Sequence, residues 1–177
     1  VVLIYFDIIG SFFLIGLLVF GFFLSAASLK HKIPVIYWFL ERFERPEVLK
    51  VFPGKGVLFG VFGVLISLLL FEKDIALAAI MILALGDSFG ALIGPFGNIK
   101  HPKPFSQKKF IEGSIVAFLA GFIGAMLFVN PLEAFIASFV AIFFEVLELK
   151  MLNDKIDDNI MIPLMAGAVI TIMRVYF

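Results

Sequence analysis

Apolar residues run in long blocks along the chain, and polar residues gather in the gaps between them. After Asp7, the block Ile8–Leu29 carries no charge. Gly56–Phe71, Ile75–Phe96, Phe110–Val129, Pro131–Leu149 and Ile160–Phe177 follow, with Gly86-Asp87 inside the third. A membrane-spanning helix needs about 20 mostly apolar residues. Spanning strands would instead show alternating segments of about 10 residues. These blocks are apolar on every face, so the pattern predicts helices. The expected fold is all-α: a polytopic membrane bundle of about six transmembrane helices in one membrane-embedded domain over residues 1–177. Val1–Phe6 reads as the tail of an earlier span, and the first residue is not Met. An N-terminal span that is missing or incomplete is therefore expected. There is no signal-peptide pattern, internal repeat or low-complexity linker.

Composition narrows the class. Hydrophobic residues make up 62% and charged residues 16% of the 177, and the mean hydropathy is +1.12. Soluble domains average about 45–50% apolar and about 25% charged. A soluble monomer of this composition would expose large apolar patches. That excludes an ordinary globular enzyme, a disordered chain and a nucleic-acid binder. Without Cys, disulfides and thiolate metal sites are excluded as well.

The net charge is zero, so only the position of the charges informs. The links Lys30–Lys55, Asn98–Lys109 and Lys150–Asp158 hold every basic residue except Lys73 and Arg174. Glu72-Lys73-Asp74 and Asn130-Pro131 form the short links between them. Basic loops stay on the cytoplasmic side. Single cysteines at Lys103 and Lys155 are therefore expected to react with impermeant maleimide from the cytoplasmic side only. Labelling of either from outside would overturn this topology.

Within the first link, Tyr37, Trp38, Phe39 and Phe43 alternate with Arg42, Arg45 and Lys50 after Pro34. Pro suits a helix's first turn, and such a mixture suits a helix lying in the membrane interface. His31, in Lys30-His31-Lys32, reads as a lipid-headgroup contact. The paired phenylalanines, such as Phe12-Phe13, Phe22-Phe23 and Phe143-Phe144, read as lipid contact or packing.

The acids carry the first chemical signal. A carboxylate within a span costs several kcal/mol unless it is partnered or faces water. Asp87, Glu112 and Glu145 lie in or at the ends of spans; Glu148 shares a helix face with Glu145. Asp157 and Asp158 stand just before the last span. All six map to one end of the bundle, and hard oxygen ligands at that density suit magnesium. Asp87 lies between Gly86 and Ser88-Phe89-Gly90. Glycine weakens a helix and allows close approach, so a broken helix is expected at Asp87 and at the active site.

The basic loop adds the second signal. Gly94-Pro95-Phe96-Gly97 leads into Asn98–Lys109, which contains Lys100, Lys103, Lys108 and Lys109. The next span opens Phe110-Ile111-Glu112-Gly113-Ser114. Lysines beside a helix N-terminus favour phosphate, and Gly113 and Ser114 leave room for one at the first turn. The same lysines would also hold anionic headgroups, but that does not account for the intramembrane acids. His101 reads as a solvated loop residue.

These motifs resemble a known family. Gly86-Asp87 with Ala91, Gly94 and Gly97, then Lys108-Lys109 with Glu112-Gly113-Ser114, is similar to the signature of the CTP-dependent lipid-alcohol kinases. That group includes dolichol kinase, phytol kinase and CTP-dependent diacylglycerol kinase. Asp157-Asp158-Asn159 followed by Pro163, preceded by Glu145, resembles the same kinases. Glu41–Arg45 and Gly54–Gly60 fit loosely, and the likeness covers roughly residues 41–170. Phosphatidate cytidylyltransferases share an Asp…Lys-Lys…Glu-Gly-Ser core. Their long C-terminal His-Gly-Gly…Asp-Arg signature is absent here. The kinases open with a basic-His element before the first span, which Val1 begins too late to include, and Lys30-His31-Lys32 follows a complete span.

The resemblance implies a membrane kinase that transfers the terminal phosphoryl group of CTP to the hydroxyl of a lipid alcohol, dolichol- or polyprenol-like. Two alternatives stand beside it: a CTP-dependent cytidylyltransferase making a CDP-lipid, and an ion-coupled transporter. Mg2+ is the implied cofactor. Asp87, Glu145, Asp157 and Asp158 are its candidate ligands. Asp87, Glu112, Asp157 and Asp158 are the candidate catalytic acids. Gly94, Gly97, Lys108, Lys109, Gly113, Ser114 and Asn159 would contact the nucleotide. The implied partners are CTP, the lipid alcohol and membrane lipids, without nucleic acid. A homodimer is compatible with the reading. The active site would face the cytoplasm.

Overall fold

The computed structural model describes residues 1–30, 33–44, 46–147, 150–151 and 154–176. His31, Arg45 and Glu148, and the side chain of Phe43, lie outside the described residues. The headgroup and helix-face expectations that fall on them therefore have no structural counterpart here.

Among the described residues, each apolar block folds as a helix. A short turn α1 (Val2–Tyr5) precedes α2 (Ser11–Lys30). Two helices, α3 (Pro34–Phe43) and α4 (Pro46–Val51), form the first basic link, and α5 (Lys55–Leu70) follows. Next comes a continuous helical rod of three windings. It comprises α6 (Lys73–Met81), a π-helical segment Ile82–Asp87 and α7 (Ser88–Ile93), and it ends in a 3-10 turn, Gly94–Phe96. After the second basic link come α8 (Ile111–Ala125) and α9 (Pro131–Leu147). A two-residue ladder, β1 (Lys150–Met151) with β2 (Asp154–Lys155), leads into α10 (Asp158–Tyr176).

Among the described residues, three helical stretches are long and apolar enough to cross a membrane: Ser11–Lys30, Lys73–Phe96 and Asp158–Tyr176. The other apolar helices hold 16, 15 and 17 residues. At 1.5 Å per residue they reach about 23–26 Å, short of a hydrocarbon core of about 30 Å. The block limits shift accordingly. Phe110–Val129 loses its last residues to the turn before Pro131, while the last span starts at Asp158 instead of Ile160.

The rod forms the centre. Ile75 to Ile80 are all buried, along with Ile82 and Leu83. Helices α5, α10, α9 and α8 pack around it, and α2 lies against α5 from outside. The contacts are made by small side chains. Ala78, Ala79, Ala134, Ala137, Ala141 and Ala166 are fully buried in one cluster with Ile82, Ile162 and Ile170. Without a hydrophobic drive between helices in lipid, close backbone approach supplies the packing energy. The large side chains point outward instead: Phe12, Phe20 and Phe23 of α2 are all exposed.

The expected break at Asp87 is not an unwound chain. The helix widens into a π segment and continues. Its close neighbour is α8, since a Cβ on Gly86 would stand 3.2 Å from the Ala117 carbonyl oxygen. Such π segments recur at functional sites.

Two charged clusters mark opposite ends of the bundle. At one end Arg174 bonds Glu133 at 3.1 Å and Asp74 at 2.7 Å, and Lys73 bonds Asp7 at 2.6 Å. Glu145 lies twelve residues beyond Glu133 on α9, about 18 Å along the helix. At that second end the three basic links meet: Lys55 stands 4.0 Å from Asp157, and Lys109 stands 3.1 Å from Asp158. Glu44 ties the first link down there. Its carboxylate accepts the Gly54 N–H at 2.7 Å and the Gly56 N–H at 3.4 Å. Gly54 has φ 80°, a left-handed turn that suits glycine.

Candidate active site

A polar cavity of about 510 Å³ opens at this second end, between α7, α8, α9 and the start of α10. Of the residues singled out from sequence, Asp87, Gly94, Lys108, Lys109, Gly113, Ser114, Glu145 and Asp158 line it. Asp87 reaches it from the end of the π segment and is exposed to it.

The loop from Gly97 to Phe110 is folded, not slack. Lys100 pairs with Phe110 in an antiparallel bridge, and the Ile111 N–H donates to the Ile99 carbonyl at 2.8 Å. The Ser106 N–H donates to Val146 of α9 at 2.9 Å. This closure turns Lys109 inward. Its ammonium bonds Glu145 and Asp158, the latter at 3.1 Å. Burial disfavours the Lys109 charge, but the two carboxylates outweigh it and raise its pKa above the usual lysine value. Lys109 is therefore a fixed cation between two acids from different helices. Lys108 lies beside it at the cavity wall with an exposed side chain.

Four expected site residues lie elsewhere. Glu112 is absent from the cavity lining. Its carboxylate accepts the Asn98 N–H at 2.8 Å and the Ile99 N–H at 3.2 Å, so it clamps the loop base onto α8. A carboxylate spent on two backbone donors is a poor proton acceptor. Gly97 packs under the same clamp; a Cβ there would lie 2.5 Å from the Phe110 Cβ. Asp157 accepts the Asn159 backbone N–H at 3.2 Å and its side-chain amide at 3.0 Å. Asn159 in turn reaches the Gly56 carbonyl at 3.5 Å, joining α10 to α5. Gly113 does line the cavity, yet its open side meets another helix: a Cβ would stand 2.8 Å from the Gly94 Cα. Room for a ligand comes from Gly94, where a Cβ would meet nothing within 4 Å.

His101, expected from sequence to be a solvated loop residue, is instead half-buried. Its Nε2 stands 2.9 Å from the Ser114 Oγ. Burial, assisted by the nearby Lys109 charge, lowers its pKa against the opposing effects of the Phe110 carbonyl and Glu112. With Nε2 on Ser114 and a further bond to the Phe110 backbone, the ring is fixed in orientation. Only the loop's return across α8 brings it to Ser114, thirteen residues away in sequence.

Among the described residues, no three acidic or histidine side chains stand together as a ready metal cage. Magnesium does not demand one. It is held by one or two carboxylates together with substrate phosphates and water. Asp87, Glu145 and Asp158 in one cavity beside two lysines supply a donor set of that kind.

No family model matches the chain, and no solved structure matches it. An uncharacterised protein of Methanocaldococcus jannaschii is 32% identical over 66% of this chain and 58% of its own length. A probable phytol kinase 1, chloroplastic, of Oryza sativa subsp. japonica is 30% identical over 62% of this chain and 39% of the relative. A probable phytol kinase 2, chloroplastic, of Glycine max is 32% identical over 62% of this chain and 42% of the relative. The chain therefore spans between 39% and 58% of the length of these relatives. It is a distant homologue of proteins named as phytol kinases, matched over part of its length and part of theirs.

Proposed function

We propose that the protein is a membrane-embedded kinase that transfers the terminal phosphoryl group of a nucleotide to the hydroxyl of a lipid alcohol. The observation that carries this reading is the pairing of three carboxylates with two lysines in one cavity at the end of an apolar bundle. By resemblance the nucleotide is CTP and the acceptor an isoprenoid alcohol of the dolichol or polyprenol type. The homologues named as phytol kinases support an isoprenoid acceptor. All six apolar helices would lie in the bilayer, the shorter three shielded by thinned lipid or flanking side chains. The cavity end would face the cytoplasm, where nucleotide arrives.

Phosphoryl transfer needs positioning and charge neutralisation more than covalent catalysis. Lys108 would meet the phosphates as they enter over the first turn of α8, where backbone N–H groups and the helix dipole also favour anions. Lys109 would keep Glu145 and Asp158 oriented. Asp87 with Asp158 would hold magnesium, which supplies positive charge to the transferring group when bound. The acceptor oxygen attacks the terminal phosphorus, the bond to the leaving nucleoside diphosphate breaks, and the hydroxyl proton passes to a cavity carboxylate.

The test is direct. Protein in nanodiscs is incubated with magnesium, a panel of isoprenoid alcohols and CTP labelled at the α or the γ phosphate. The γ label is expected to enter the lipid. Entry of the α label, with pyrophosphate released, would make the protein a cytidylyltransferase. No transfer from any nucleotide would overturn the reading. Within this assay Lys108→Ala should lower kcat/KM about 10- to 150-fold, the value of one charge-assisted phosphate contact of about 1.5–3 kcal/mol. Lys100 and Lys103 are exposed and do not line the cavity. Their alanine variants should change kcat/KM by less than about threefold, the value of a screened surface charge. Equal small effects at all three positions would remove phosphate binding from the loop.

A further inference from the structure

We propose that the phenylalanine-lined groove between α8 and α9 holds the apolar chain of the acceptor alcohol, with Ser114 and His101 at its mouth receiving the hydroxyl. This rests on the kinase reading above and adds to it the acceptor site. The groove encloses about 390 Å³ and is lined by Phe105, Ile115, Phe118, Phe139 and Phe143, with Phe135 at its far end. Its wall runs along α9 from Val146 to Phe135, about 16 Å at 1.5 Å per residue. It therefore extends from the charged end of the bundle well into the apolar part.

Its connection to the polar cavity gives the groove a direction. Ser114 lines both spaces. The Ser114 Oγ is bonded to His101 Nε2, and His101 lines the groove. The Ser114 hydroxyl, shared with His101, keeps an acceptor lone pair for an alcohol O–H. An amphiphile whose hydroxyl sits at Ser114 would point its oxygen at the lysine-and-carboxylate cavity and its tail down the groove. Such an arrangement converts a bilayer collision into an oriented encounter.

A second apolar groove exists between α2 and α5. It is larger, about 560 Å³, and is lined by Leu18, Phe22, Phe52, Leu58 and Phe62, with Ile160 of α10. It shares no lining residue with the polar cavity. Its lining is apolar throughout, and Lys55, which lies over Phe59 at its edge, pairs with Asp157 and stands outside the polar cavity. The α8–α9 groove is therefore the acceptor site.

The experiment uses a C20 isoprenoid alcohol carrying a diazirine near the tail end, photolysed with the full chain in nanodiscs and mapped by mass spectrometry. Adducts are expected on α8 and α9 around Phe118 and Phe139. Unlabelled isoprenoid alcohol should compete with labelling, whereas phospholipid should not. Phe139→Trp and Ile115→Trp, both at exposed positions, should fill the groove. Each should lower adduct yield at least fivefold while leaving the affinity for a fluorescent CTP analogue unchanged. Adducts on α2 or α5 around Phe22 and Phe62, or equal competition by phospholipid, would overturn the proposal. γ-Phosphate transfer is measured on the same sample. Transfer without groove adducts sinks the acceptor site alone; groove adducts without transfer from any nucleotide sink the kinase reading alone.

Discussion

Replacing Asp87 by Asn is expected to lower phosphoryl transfer on the order of 10³-fold, about 4 kcal/mol at 1.36 kcal/mol per decade, with the fold retained. Asn keeps the volume and shape of the side chain but removes the negative charge. Asp87 is exposed to the cavity, away from the alanine-rich core that holds the rod against α9 and α10. Its loss of charge should therefore spare the melting temperature. If Asp87 holds magnesium against the phosphates, the variant should also lose the magnesium dependence of nucleotide binding. Calorimetry of nucleotide binding with and without magnesium checks this separately from turnover. A variant that keeps near-native turnover would reduce Asp87 to a structural carboxylate at the end of the π segment.

The position of Asp87 shows what a sequence discloses about such a protein. Charge within an apolar run is visible in the sequence, because water and lipid treat it so differently. The way the backbone presents that charge is not. Gly86 and Gly90 suggest a break, yet each sits where α8 approaches closely. A Cβ on Gly90 would stand 3.0 Å from the Ala117 Cβ. Glycine therefore serves helix contact here, and the chain keeps its hydrogen bonds by winding wider. In a helix apolar on every face, periodicity carries no information about which side meets which neighbour. The packing order of α5, α8, α9 and α10 around the rod was for that reason not readable.

The loop carries the same lesson in reverse. Lys108-Lys109 and Glu112-Gly113-Ser114 are legible as a motif. Their division of labour comes only from the fold. Two adjacent lysines end up with different tasks, because the bridge between Lys100 and Phe110 turns Lys109 inward and leaves Lys108 at the wall. Glu112 looks like an active-site acid, but it spends its oxygens on Asn98 and Ile99. His101 has no ligand spacing with another histidine, and its contact with Ser114 depends on the loop closing. Local sequence gives no signal for it.

Lys109→Met should be the most damaging of the lysine substitutions, and for two separable reasons. The ammonium lies between Glu145 and Asp158, and the Glu145 side chain is only 9% exposed. Removing it leaves two carboxylates facing each other in a half-buried site. Breaking a buried ion pair from one side costs about 3–5 kcal/mol, so unfolding in mild detergent should shift clearly to lower denaturant. The raised pKa of Lys109 fixes where the wild-type contribution operates. It is fully present below the ordinary lysine value of 10.5 and is lost only as pH rises through the higher folded value. The wild-type contribution is therefore constant across neutral pH, whereas the variant should regain part of the loss as pH falls and one of the two facing carboxylates takes up a proton. The double variant Lys109→Met with Glu145→Gln removes the uncompensated carboxylate and should recover most of the stability. Turnover should stay at least a hundredfold down, because the cation that orients Asp158 is still missing. Recovery of turnover together with stability would mean that Lys109 only closes the loop onto α9 and α10, and that orientation of the site is set elsewhere.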